Sequence, residues 1–168
     1  MKQGIIILLL SCPVSAAGGG PDVALWLARS CVGEAGWHSV DNGECAAIAH
    51  VYHKRSYTLR SRNYMRAMTE YSAAVRVGRP WIRQLTRKAD RPRLLETNVY
   101  WGRHRDKWIK TLQFADDFFR GRIPDPTPEA LHYGGGMDRG RLDPNVWEVM
   151  STPKFRNEFY RKRVSNEN

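Results

Sequence analysis

Glu34 stands in an apolar setting, with Val32 and Gly33 before it and Ala35, Gly36 and Trp37 after it. A carboxyl among such neighbours loses solvation, which disfavours its charged form and lets it carry a proton near neutral pH. That property suits a general acid that breaks a glycosidic bond. The other reading is an ordinary exposed glutamate at a helix end. Trp37, beside Glu34 in a turn, is placed to stack on the face of a sugar, whereas Trp101 and Trp108 share one helical face and are read as core.

His50 and His53 lie three residues apart, with His38, His104 and His132 elsewhere. No His-Glu-x-x-His element is present and the cysteines suit one another, so no metal and no other cofactor is expected. Arg76, Arg79, Arg83, Arg87, Lys88, Arg91 and Arg93 make the densest cluster of charge. They form either a solvated surface or a face drawn to anionic wall or outer-membrane polymers.

These residues need a scaffold, and the caps and periodicities supply one. Asp22 is an N-cap for a helix through Leu25, Leu27, Cys31 and Val32, ended by Gly33 and Gly36. Asp41-Asn42-Gly43 turns the chain into a second helix through Cys45, Ile48, Ala49 and Tyr52 to Lys54-Arg55, and the two should form a hairpin. A third helical stretch covers Asn63 to Tyr71, and Pro80 opens a short helix through Trp81, Ile82 and Leu85. The longest segment runs from Thr97 to Arg120, with Val99, Trp101, Trp108, Ile109, Leu112, Ala115 and Phe119 on or near one face and Gly121 as its stop. The Pro-rich run Ile123 to Pro128 and the Gly-rich run after Tyr133 are loops.

The chain has 168 residues, 42% hydrophobic and 26% charged, which is a globular composition with room for one core. Its 27 Lys+Arg against 17 Asp+Glu favour an anionic partner. Lys2, the apolar run Ile5 to Leu10 and Val14-Ser15-Ala16-Ala17 read as a secretory signal cut after Ala16. The apolar run is too short for a membrane anchor, and no transmembrane segment is expected. Leu9-Leu10-Ser11-Cys12 offers the alternative of a lipobox, with Cys12 acylated. The protein is expected outside the cytoplasm, periplasmic or extracellular. Export leaves Cys31 and Cys45 as a natural disulfide pair, against the alternative of two buried thiols. The expected organisation is a signal peptide at 1–16, a flexible lead at 17–21, one catalytic domain at 22–153 and a basic polar tail at 154–168.

Leu27-Ala28-Arg29-Ser30-Cys31-Val32-Gly33-Glu34-Ala35, followed by Cys45-Ala46-Ala47-Ile48-Ala49-His50-Val51-Tyr52-His53-Lys54-Arg55, resembles the opening of the bacterial spore-cortex-lytic and cell-wall hydrolase family. There a helix ends in a Glu-Ala pair that carries the catalytic glutamate, and an Ala/Val-rich helix packs beside it; Lys54-Arg55 stands where the family has Asn-Arg. Tyr71-Ser72 is similar to the family's aromatic-Ser element. Gly121 through Asp125-Pro126-Thr127 to Ala130-Leu131-His132-Tyr133 is similar to its Gly…Asp-Pro-Thr…Ala-aromatic loop.

The resemblance implies a mainly α, α+β lysozyme-like fold related to lytic transglycosylases, with a loop-rich C-terminal part that has room for a small sheet. It implies that Glu34 protonates the oxygen between N-acetylmuramic acid and N-acetylglucosamine in peptidoglycan glycan strands. A hydrolase would need a second carboxylate, and Glu70, Asp138, Asp41 and Glu44 each offer one without a compelling spacing. The reading adopted is therefore a lytic transglycosylase working through Glu34 alone, with a lysozyme-type muramidase or a phage-encoded lysis enzyme as alternatives. Ser72, His132, Tyr133 and Trp37 are the expected substrate-binding or Glu34-orienting residues. For Ser72 the alternative is a helix cap, and for Tyr133 a core aromatic. A non-catalytic alternative is a secreted basic module that binds wall polymer; no nucleic-acid motif is present.

Overall fold

A computed structural model describes residues 22–58, 63–134, 140–152 and 155–164. The signal-peptide and Cys12 readings, and Asp138, lie outside the described residues. Among the described residues six helices come first: α1 (Val23–Ala35), α2 (Glu44–Thr58), α3 (Tyr64–Tyr71), α4 (Ala73–Arg76), α5 (Pro80–Arg83) and α6 (Asn98–Phe119). Three short strands follow, β1 (His132–Gly134), β2 (Trp147–Val149) and β3 (Glu158–Lys162). The fold is mainly helical with a small antiparallel sheet in the order β1-β3-β2. No helix among the described residues is long and apolar enough to cross a membrane.

The local signals act where the sequence places them. Asp22 Oδ1 accepts the Leu25 amide at 3.0 Å and Thr97 Oγ1 accepts the Tyr100 amide at 3.0 Å, so α1 and α6 both begin on side-chain caps. Gly36 ends α1 at φ +83°, a conformation that side chains with a Cβ rarely adopt. Gly33 does not end the helix as its type suggests; it lies inside α1 and serves a close contact described below. Cys31 and Cys45 form a disulfide, Cα–Cα 5.2 Å, that ties the last turn of α1 to the first of α2.

The core gathers where α1 packs across α6 and against α2, α3 and α4, with Leu27, Ile48, Met68, Trp108 and Phe159 buried in it. Trp108 is fully buried with its indole N–H on the Thr86 carbonyl at 2.8 Å, and Trp101 is buried too, so both are core as expected. Val99 and Ile109 leave the expected face of α6 and are exposed, while Phe114 and Phe118 take core positions on it. Ridge packing of α6 on α1 selects a narrower stripe than hydrophobicity alone suggests.

The segment expected to be a basic polar tail contains β3, the central strand of the sheet. Phe159 and Tyr160 are buried, and Phe155 packs on Phe159 with ring centroids 5.5 Å apart. The charges that suggested a tail sit on the strand's outer positions, where Arg161 pairs with Glu148 at 2.6 Å and also with Glu129. The domain therefore runs past residue 153, because burying Phe159 and Tyr160, with Phe155 partly covered, outweighs the solvation of a few cations that stay wet.

Candidate active site

Glu34 occupies the penultimate position of α1, partly exposed. One of its oxygens, Oε1, accepts the Ser72 hydroxyl at 2.7 Å and the Ala74 amide at 2.8 Å. Both donors come from the break between α3 and α4. Ser72 is extended there (φ −106°, ψ 114°), its N–H closes α3 on the Met68 carbonyl, and its Oγ accepts the Val75 amide at 3.1 Å to cap α4. The cap leaves the Ala74 N–H pointing out of the helix start, where the carboxylate meets it. No donor among the described residues bonds Oε2, so one oxygen is held and the other remains for chemistry.

Behind Ser72 runs a buried line of hydroxyls. Ser72 Oγ lies 3.1 Å from Ser30 Oγ, which lies 2.7 Å from Tyr52 Oη, which lies 2.5 Å from Tyr133 Oη. Each hydroxyl has one proton, and that fixes the direction. Ser72 gives its proton to Glu34, so Ser30 donates to Ser72, Tyr52 to Ser30 and Tyr133 to Tyr52, with the Tyr71 carbonyl at 3.4 Å from Tyr133 Oη as a secondary contact. Every bond therefore points its positive end towards Glu34. Burial, followed by the charge of Glu34, pushes the Tyr52 phenol far above its ordinary value, and burial, followed by Tyr52 and Glu34, does the same to Tyr133. Both remain neutral donors.

In front of Glu34 lies a cleft of about 440 Å³. Trp37, Trp81 and Tyr100 form an aromatic side, with the indoles of Trp37 and Trp81 stacked at 5.5 Å and 19°. His104 lies flat on Trp37 at 4.6 Å and 8°, fixing the indole between two rings. Arg79 and Arg156 also line the cleft. Arg156 is brought there by a buried carboxylate: Glu44, at the start of α2, accepts the amides of Arg156 (2.9 Å) and Asn157 (2.7 Å) and the Asn157 side-chain amide (2.8 Å). The same Asn157 side chain reaches the Glu34 carbonyl at 3.2 Å, so the C-terminal segment is fastened directly beneath the site.

Of the residues expected to act with Glu34, Trp37 lines the cleft and Ser72 binds the carboxylate while also capping α4. Tyr133 is a buried aromatic and also the far end of the hydroxyl line. His132, the neighbouring residue in β1, does not join them: its ring packs near Trp147 and Tyr160, on the other face of the strand. Among the described residues Glu34 is the only carboxylate that lines the cleft. Glu44 is consumed by the Arg156 and Asn157 donors and a longer contact from the Asn42 side-chain amide, Asp41 pairs with Lys110, and Glu70 pairs with Arg66 at 2.8 Å. His50 bonds the Ile123 carbonyl and His38 meets Lys107, so the histidines are dispersed.

Trp81, Tyr100, Arg79, Arg156, Ser30, Tyr52 and the Ala74 amide went unrecognised as parts of the site. For Trp81 a signal existed, since Pro80-Trp81 puts an indole in the first turn of a very short helix that cannot bury it on all sides. For Arg156 and the Ala74 amide no local signal exists. Lys54 and Arg55 hold the Pro-rich loop, Lys54 on the Thr127 and Ala130 carbonyls and Arg55 on the Leu131 carbonyl, which delivers Tyr133 to Tyr52. No family model, curated protein or solved structure matches this chain.

Proposed function

We propose that this protein is a lysozyme-like enzyme that cleaves peptidoglycan glycan strands between N-acetylmuramic acid and N-acetylglucosamine, as a lytic transglycosylase with Glu34 as both acid and base. The observation that carries the reading is that, among the described residues, Glu34 is the one carboxylate of the cleft, held at Oε1 and without a donor at Oε2. Protonated at Oε2, Glu34 gives its proton to the glycosidic oxygen as the bond to the muramic acid anomeric carbon breaks through an oxocarbenium-like state. The carboxylate then takes the proton of the same sugar's 6-hydroxyl while that oxygen closes on the anomeric carbon. The products are a 1,6-anhydro end and a free 4-hydroxyl, and Glu34 regains its proton without water.

The Ser72 hydroxyl and the Ala74 amide stabilise the carboxylate that forms between the two steps, since both donate to Oε1, which then shares the negative charge with Oε2. Trp81 and Tyr100 offer apolar ring surface for sugars, and Trp37, covered by Trp81 and His104, presents its edge to the cleft and holds Trp81 in place. The likeness of the Glu34-Ala35, Tyr71-Ser72 and Asp125 to Tyr133 stretches to the cell-wall hydrolase family supports the same substrate. The reading places the protein outside the cytoplasmic membrane, with which the Cys31–Cys45 disulfide agrees. The test is digestion of purified peptidoglycan by the wild type and by Glu34→Gln, with the fragments analysed by mass spectrometry. Loss of at least about a hundredfold in rate by the variant is expected, and near-wild-type cleavage would overturn the assignment.

A further inference from the structure

Two guanidinium groups share the cleft with Glu34, and among the described residues neither Arg79 nor Arg156 has a carboxylate partner. Arg87 bridges Asp22 and Asp116, Lys54 meets Asp125 at 2.7 Å, and Arg66, Lys110 and Arg161 each hold an acid, whereas surface cations such as Arg76, Arg83 and Arg93 have none among the described residues either; what sets Arg79 and Arg156 apart is their place in the lining of the Glu34 cleft. Both cleft arginines carry exposed side chains on backbone that specific packing holds in place. A Cβ on Gly78 would lie 1.9 Å from the Ala74 carbonyl oxygen, so the chain passes tightly over α4 and delivers Arg79 to the wall. Glu44 performs the equivalent service for Arg156 through its backbone amide.

We infer that Arg79 and Arg156 form a carboxylate-recognising subsite, so that the strand cleaved at Glu34 must carry an acidic substituent. The inference rests on the glycan reading above and narrows it. A planar guanidinium binds a carboxylate through paired N–H donors, which fixes the geometry of recognition as well as its charge. Neutral N-acetylglucosamine oligomers stack on the same aromatic side but leave both arginines without a partner. On peptidoglycan the carboxylate has two sources: the free lactyl group of peptide-free muramic acid, or the stem peptide.

Binding to the full-length Glu34→Gln protein, which removes turnover, separates these cases by calorimetry. The probes are peptide-free strands, peptide-bearing strands, each of these with its carboxylates converted to methylamides, and chitin oligomers. The expected result is that conversion weakens at least one strand by roughly tenfold, and the strand that responds identifies the source. Arg79→Gln and Arg156→Gln should each remove most of that preference, whereas Arg76→Gln, an exposed neighbour outside the cleft, should keep it. Should one cleft variant not fold, the other carries the comparison. Equal binding before and after conversion overturns the subsite alone, and an equal effect of Arg76→Gln overturns it in favour of diffuse charge. Binding to no glycan overturns the glycan reading along with it.

Discussion

A Cβ built on Gly33 would lie 2.2 Å from the Cβ of Ala74. The contact stands one residue before Glu34 and at the residue whose amide binds it, so the approach of α1 to α4 and the grip on the carboxylate are one feature. Only a residue without a side chain lets the two backbones come so close.

Gly33→Ala should therefore damage the site and the fold together. The added methyl pushes α4 away, lengthens the Ala74 to Glu34 bond and costs about 1–3 kcal/mol of stability. Denaturant titration checks the second effect and glycan cleavage the first; an unchanged midpoint with full activity would show that α4 yields freely.

The directed hydroxyl line predicts coupling between distant side chains. Ser72→Ala removes a cap and a donor to Glu34 and should cost about 1–2 kcal/mol, with a fall in kcat and little change in KM. Tyr52→Phe strands Ser30 and Tyr133 and should cost about 1–3 kcal/mol. Because the two belong to one chain of bonds, the double variant should cost less than the sum, and strict additivity in stability would argue against the line.

Glu44 is buried, has no cationic partner among the described residues, and serves three N–H donors of residues 156 and 157. Glu44→Ala leaves those groups unsatisfied and should lower stability by about 3 kcal/mol. Glu44→Gln, which keeps one acceptor, should fall between it and the wild type. Protease digestion at the C-terminal segment gives a second readout, since loosening β3 exposes it.

Burial, then the nearby Lys107, His38 and Arg103, holds His104 below the ordinary imidazole value. The unfolded chain takes up this proton first, so stability from this residue is complete above about pH 6.5 and declines as the pH falls towards the depressed folded value. His53, depressed by burial and by His50, adds to the same slope. Thermal midpoints measured from pH 8 to pH 5 should drop less steeply in His104→Phe; an identical slope would mean that the imidazole is not held neutral.

The glycan products report on the number of carboxylates at work. If Glu34 acts alone, the fragments carry 1,6-anhydro ends and borohydride leaves their mass unchanged. Reducing ends would assign a second acid, with Asp138 the residue to substitute next, and would leave Glu34 as the proton donor.

The sequence by itself determined the elements whose causes are local. Asp22 and Thr97 start helices through their own side chains, Gly36 stops one, and the spacing of Trp101, Trp108, Leu112 and Ala115 marks a buried stripe. Glu34 and Trp37 were legible as a pair because they are three residues apart in a turn. Of what holds Glu34, Ser72 was reached only through the likeness of Tyr71-Ser72 to a family element, and the Ala74 amide was not legible; the two donors lie 38 and 40 residues away, and the Glu44 to Asn157 latch spans 113. The buried β3 was misread for the same reason, since its cations are visible in the sequence and the aromatic faces that meet Phe159 are not. A hydrogen bond or a packed ring across such a separation depends on which surfaces the folded chain brings together. Periodicity and caps describe only neighbours along the chain, so the partners of Glu34 were decided by the packing of α1 against α4 and of β3 beneath them.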